Sequence, residues 1–176
     1  MRSHFRRLRS ATIVALLLGI WLVSQAAAQA KTDFSGTWVL NESKSELGDF
    51  GGRFATTKIQ VSQTSDSIKI VRTAPAINGG SPVSYTETLP FDGKEVQTEV
   101  LPGISKKKSS IKWSTDGTSF VITSTTDLKA RGQNIEMSST EIWSLSADGN
   151  ILTSVAKTTA SRGESQTKAI YEKSPK

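Results

Sequence analysis

An all-β fold, an antiparallel meander closed into a barrel of about 8–10 strands, is what this sequence predicts. Three observations carry that prediction. From Phe34 onward, apolar and polar residues alternate in short runs, the period-two signature of a half-buried strand. Turn signals separate the runs at short intervals. Asp92-Gly93, Asp116-Gly117 and Asp148-Gly149 mark hairpins, because glycine takes the positive φ that tight turns need. Asn78-Gly79-Gly80, Arg131-Gly132 and Arg162-Gly163 add further breaks. Finally, threonine, serine, valine and isoleucine dominate the runs, and helix evidence is confined to Glu42–Leu47, where Asn41 or Ser43 caps a single turn.

Taken in order, the expected strands are 35–41, 55–63, 66–73, 82–89, 94–101, 107–114, 118–127, 133–145, 150–158 and 165–172. Within the second, Ile59 and Val61 share one face and Lys58 and Gln60 the other. Thr64-Ser65-Asp66 turns the chain into the third. A meander of this length does best by closing on itself, since closure removes exposed edges. A two-sheet sandwich is the alternative, and the short connections favour the barrel. Trp113-Ser-Thr-Asp-Gly echoes Trp143-Ser-Leu-Ser-Ala-Asp-Gly, which reads as recurring hairpin chemistry and not as a repeat architecture.

The first thirty residues read differently. Arg2, Arg6, Arg7 and Arg9 precede the thirteen mostly apolar residues Ala11–Val23, and Ala28-Gln29-Ala30 closes the segment with a small-x-small pattern. That is the layout of a secretory signal peptide. The apolar run is short of the roughly 20 residues of a spanning helix, so no stable membrane insertion is expected after cleavage. The general secretory route is expected, because the twin-arginine motif is incomplete. The sequence thus divides into a signal at 1–30 and one domain at 31–176, exported to the periplasm or beyond.

The chain of 176 residues carries 22 basic and 16 acidic residues, a net charge of +6. Four of the arginines lie in the signal, which leaves 18 against 16 and a net of +2 for the mature chain. The basic balance is a targeting feature, and no nucleic-acid partner is expected. Cysteine is absent, and the one histidine, His4, lies in the signal. The mature chain therefore lacks the commonest nucleophile–base pairs and the usual zinc ligands, so neither metal nor cofactor is expected. Glu95 and Glu99 share a strand face at a separation of about 13 Å, beyond the reach of a glycosidase pair.

Two segments resemble a known group. Asp33-Phe-Ser-Gly36-Thr-Trp38 resembles the Gly-x-Trp opening strand of the lipocalin and fatty-acid-binding-protein (calycin) group. Thr167–Lys173 resembles the last strand of the cytosolic fatty-acid-binding proteins. The resemblance implies a calycin-like barrel, with Gly36 and Trp38 as the structural motif at its closed end. In that group an inward arginine two residues before the tyrosine meets the ligand carboxylate. Here that position is Ala169, and Lys168 points to the opposite face.

Candidate ligand-binding residues follow from strand faces. Trp113, Phe120, Met137 and Trp143 sit at alternating positions that either line a cavity or fill the barrel. Arg72 shares a face with Ile68 and Ile70, and Glu141 shares one with Met137 and Trp143. A charge on an apolar face either orients a ligand or marks a solvated strand end. The cost of burying unpaired charge favours the strand end. Tyr171 offers a phenol to a ligand or to the rim. Lys106-Lys107-Lys108 reads as a solvated loop or sheet edge.

The leading functional expectation is an exported lipocalin-like protein that binds a small hydrophobic molecule as a non-catalytic carrier or sensor. The alternatives are a filled barrel or sandwich acting through its surface as an envelope interaction module, and a hydrolase using a Ser–Lys pair that no motif frames. Protein partners are not legible.

Overall fold

The computed structural model describes residues 31–48, 55–75, 80–130, 132–161 and 163–175. The expected signal at 1–30 and the turn residues Asn78, Gly79, Arg131 and Arg162 lie outside them. Among the described residues no helix is long and apolar enough to cross a membrane.

Among the described residues ten strands form one antiparallel sheet. They are β1 (Gly36–Leu40), β2 (Lys58–Gln63), β3 (Ser67–Ala74), β4 (Val83–Pro90), β5 (Val96–Leu101), β6 (Ser105–Trp113), β7 (Ser119–Ala130), β8 (Gln133–Leu145), β9 (Ile151–Ala160) and β10 (Gly163–Lys173). The spatial order is β4-β3-β2-β1-β10-β9-β8-β7-β6-β5, so every neighbour but one is a sequence neighbour. The exception is β1 against β10, which joins the two ends of the domain with Trp38 opposite Lys173 and Leu40 opposite Tyr171. The sheet curls into a nearly closed barrel. Its open seam lies between β4 and β5, which have no ladder joining them.

Hairpin chemistry explains the short connections. In the β6–β7 turn the Asp116 carboxylate accepts from Ser114 Oγ at 2.6 Å and from the Thr118 amide at 3.1 Å. In the β8–β9 turn Asp148 accepts from Ser146 Oγ and from the Asn150 amide in the same way. Gly117 (φ 66°) and Gly149 (φ 69°) supply the left-handed residue each turn demands. Because Ser114 and Ser146 occupy the same place, the residue equivalent to Trp113 is Leu145 and not Trp143. The sequence echo therefore aligns the wrong tryptophan by two positions. The helical turn expected after β1 is a 3₁₀ helix at Glu42–Lys44, whose N-cap Asn41 accepts from the Lys44 amide.

Period-two alternation sends one row of each strand inward. Phe34, Trp38, Ile68, Ile70, Leu89, Ile111, Phe120, Ile122, Trp143 and Leu152 are buried there. Phe34 packs against Phe120 at 4.7 Å between ring centroids, and Phe120 in turn meets Trp113 at 5.2 Å and Trp143 at 5.3 Å. The segment before β1 closes this end of the barrel. Thr32 N–H donates to Gly117 carbonyl, Gln63 Nε2 donates to Thr32 carbonyl, and Trp38 Nε1 donates to Phe34 carbonyl at 3.0 Å. Gly36 takes φ 147° so that the chain can bend from this plug into β1.

The run Lys106–Lys108 corrects an expectation. It is neither loop nor edge but the middle of β6, paired to both β5 and β7. Lys106 and Lys108 point out, while Lys107 points inward.

Phe120 is the hub of the aromatic end, and its removal leaves a cavity among rings that cannot collapse. Phe120→Ala should cost about 3–5 kcal/mol and lower Tm by roughly 6–20 °C, whereas Met137→Ala, at a half-buried position, should cost well under half as much. Thermal unfolding by circular dichroism checks the pair.

Candidate functional site

Beyond the aromatic end the inward rows turn polar. On β3 the row runs Ile68, Ile70, Arg72, and on β4 it runs Leu89, Glu87, Tyr85. On β6 it runs Trp113, Ile111, Ser109, Lys107, and on β8 it runs Leu145, Trp143, Glu141. Four strands thus bring two cations and two carboxylates into one layer of the barrel.

Arg72 and Glu141 form a two-pronged pair. Nη2 donates to Oε2 at 2.8 Å and Nη1 to Oε1 at 3.2 Å. Glu141 Oε1 also accepts from Trp143 Nε1 at 2.6 Å and from Ser154 Oγ at 2.7 Å. The guanidinium lies 5.1 Å from the Trp143 ring centroid, a cation–π contact that adds to the hold. The second pair is Lys107 Nζ to Glu87 Oε1 at 2.7 Å. It crosses from β6 to β4 and so spans the seam. Arg72 Nε stands 3.7 Å from Glu87 Oε1, which links the two pairs electrostatically but is too long for a hydrogen bond.

Burial alone would raise the Glu141 carboxyl, but the charges of Arg72 and Lys107 and the hydrogen bonds from Trp143 and Arg72 outweigh it and hold the pKa at about 2. For Arg72 burial works in the lowering direction, and the Glu141 and Glu87 charges reverse it, so the guanidinium stays protonated. Burial raises the Tyr171 phenol above its ordinary value, partly countered by Arg72, and leaves it a neutral donor.

A cavity of about 310 Å³ opens on this layer. Arg72, Glu141, Ser154 and Tyr171, with the hydroxyls of three threonines, supply its polar lining, and Leu47, Ala156 and Ala169 its apolar wall. Leu47 reaches it because Glu46 bridges to Lys168 on β10, which lays the segment after the 3₁₀ turn along the barrel. The small side chains Ala156 and Ala169 leave the space open where larger residues would fill it.

Of the residues singled out from sequence, the structure brings Arg72, Glu141 and Tyr171 together at this cavity. The expectation that Arg72 and Glu141 end their strands in solvent is corrected. Arg72 is 5% exposed, and each charge is buried against the other, so the unpaired-charge cost that argued for solvent does not arise. Phe120 and Trp143 belong to the aromatic core, although Trp143 also donates to Glu141. Trp113 sits at the closed end beside Phe91, beneath the Lys31 ammonium. Met137 is half-buried far along β8, opposite Thr126 and Ala160, and lines no part of this cavity. Sequence reasoning missed Glu87, Lys107, Ser154, Ala156 and Ala169. Strict alternation through Lys107, Ser109, Ile111 and Trp113 is the signal that finds Lys107. The same parity through Tyr85, Glu87 and Leu89 finds Glu87.

The ionic layer makes stability depend on pH. A carboxylate held at about 2 against an ordinary 4.5 stabilises the fold fully above pH 4.5, and that contribution is lost as pH falls through 2. On going from pH 7 to pH 3 the urea midpoint should therefore fall further for the native chain than for Glu141→Gln, which has no proton to take up at that position. Glu141→Leu should cost about 3–5 kcal/mol by stranding Arg72, and adding Arg72→Met should recover most of the loss. A double-mutant cycle in urea measures it.

No protein-family model matches this chain, and no curated protein or solved structure matches it either, so its function has to be argued from the geometry of this cavity.

Proposed function

We propose that the chain is an exported, lipocalin-like, non-catalytic carrier or sensor that binds one small hydrophobic molecule inside the barrel. The observation that carries this reading is the cavity of about 310 Å³. It sits at the small end of the ~300–1,000 Å³ typical of ligand sites, and it combines an apolar wall with a few convergent polar groups. The aromatic plug at the other end gives the barrel one closed floor. That arrangement suits a container with a single entrance.

The chemistry of the lining supports a non-catalytic role. Ser154 donates its hydroxyl hydrogen to Glu141, which is the contact a serine nucleophile would need with a base. A carboxylate with a pKa of about 2 is too weak a base to take that proton at neutral pH. Both Lys107 and Arg72 are likewise committed to carboxylates, so neither serves as a free base.

A second reading has one specific observation in its favour. On the outer face, Val121, Ile142 and Val155 stand directly opposite one another across β7, β8 and β9, and Ile142 is 45% exposed. An apolar row on a sheet otherwise rich in threonine and lysine suits a surface interaction module.

Native mass spectrometry of the chain from Lys31 onward, purified gently from its host, tests the first reading together with titration of N-phenyl-1-naphthylamine, a neutral apolar fluorophore. Saturable uptake near one per chain is expected. Ala156→Phe, which fills the cavity, should weaken uptake at least tenfold with the circular dichroism spectrum retained. A bare mass with no uptake would overturn the carrier reading in favour of the surface module.

A further inference from the structure

We infer that the cavity selects an uncharged ligand whose head group both accepts and donates hydrogen bonds, an alcohol or a primary amide, and that it disfavours carboxylates and amines. The inference rests on the carrier reading and adds the class of ligand.

Charge balance is the first argument. Two ionised groups line the cavity, Arg72 and Glu141, and they are already paired to each other. The next ionised groups inward, Lys107 and Glu87, are paired in turn. Among the described residues the layer therefore presents two positive and two negative charges at close range and no net charge. A ligand carboxylate would gain from Arg72 and lose to Glu141 at nearly the same distance. It would still lose its hydration on entering. An ammonium faces the same cancellation with the signs reversed. The arginine that is present already gives one N–H of each Nη to Glu141.

Spare hydrogen-bonding capacity is the second argument. Tyr171 is 3% exposed, lines the cavity, and makes no side-chain hydrogen bond among the described residues. Its neutral hydroxyl is a donor in search of an acceptor. Glu141 is lopsided, because Oε1 takes three donors while Oε2 takes only Arg72 Nη2. A carboxylate oxygen with one donor retains a free lone pair. The lining thus offers a donor at Tyr171 and an acceptor at Glu141 Oε2, beside the hydroxyls of Thr56, Thr158 and Thr167, and a hydroxyl or carboxamide answers both at once. The apolar wall of Leu47, Ala156 and Ala169 takes the hydrocarbon part.

Displacement of bound N-phenyl-1-naphthylamine by a matched six-carbon series, hexan-1-ol, hexanamide, hexanoate and hexylammonium at pH 7.5, tests the inference. Hexanol and hexanamide should compete at concentrations at least tenfold lower than hexanoate or hexylammonium. Tyr171→Phe should weaken hexanamide three- to tenfold more than it weakens the fluorophore, whose affinity is titrated directly on the variant. Glu141→Gln removes one negative charge, so it should shift the preference toward hexanoate by tenfold or more. Should that variant fail to fold, the Tyr171→Phe comparison decides alone. Hexanoate competing as well as hexanamide in the native chain, or an affinity for hexanamide indifferent to Tyr171→Phe, would overturn the inference while fluorophore binding left the carrier reading standing. Absence of any fluorophore uptake would overturn both.

Discussion

The charged layer is the constraint around which the barrel is organised. An isolated ion in a protein interior is costly, and these four are tolerable only as two close pairs, with further hydrogen bonds to Glu141 from Trp143 and Ser154. The pairs tie β3 to β8 and β4 to β6, strands that are not neighbours in the sheet. A slip of one residue in any of these strands would turn its charge outward and leave its partner stranded. Beyond the aromatic end the inward rows carry serine, threonine and alanine at many positions, which leaves few bulky side chains there to set register. In this barrel the ions fulfil that role, and their value lies in specificity more than in net stability.

Division of labour between the two ends follows from the same layer. On one side of it, the rings of Phe34, Trp113, Phe120 and Trp143 fill the barrel, and the segment from Thr32 to Phe34 lies across the end. On the other side, Ala156, Ala169 and the threonines leave room. Trp143 belongs to both, since its ring packs on Phe120 and its Nε1 serves Glu141. The Lys107–Glu87 bridge has a further part to play at the seam. It replaces, with one ionic contact, the backbone ladder that β4 and β5 do not form, and the edge-to-face contact of Phe91 on Trp113 does so lower down.

What could be read from the sequence was local. All ten strands, the Asp116-Gly117 and Asp148-Gly149 hairpins and the Asn41 cap are encoded within a few residues of themselves, so alternation and turn chemistry are enough to place them. Asp92-Gly93 turns the chain as expected but makes no hairpin, because β4 and β5 pair with other strands and leave the seam between them. The interior pairing was not local. Arg72 and Glu141 are 69 residues apart, and a burial argument applied to each separately sends both to solvent. Only the pair reverses that argument. Lys107 was hidden differently, by two lysines of opposite facing that made the run look like a uniform basic patch. The tryptophan echo misled because tight turns are aligned by their serine and aspartate, and the aromatic residue nearby is incidental to them.

Joining β1 to β10 means that the first strand finds one of its two partners only in the last stretch of the chain. The Asn41 amide meets Glu172 across 131 residues. Hairpins between sequence neighbours can form as the chain appears, but the barrel can be finished only when β1 and β10 are both present. Long-range closure of this kind slows folding. A domain so arranged has no enclosed interior until β10 has been made and docked, and then acquires it in one step.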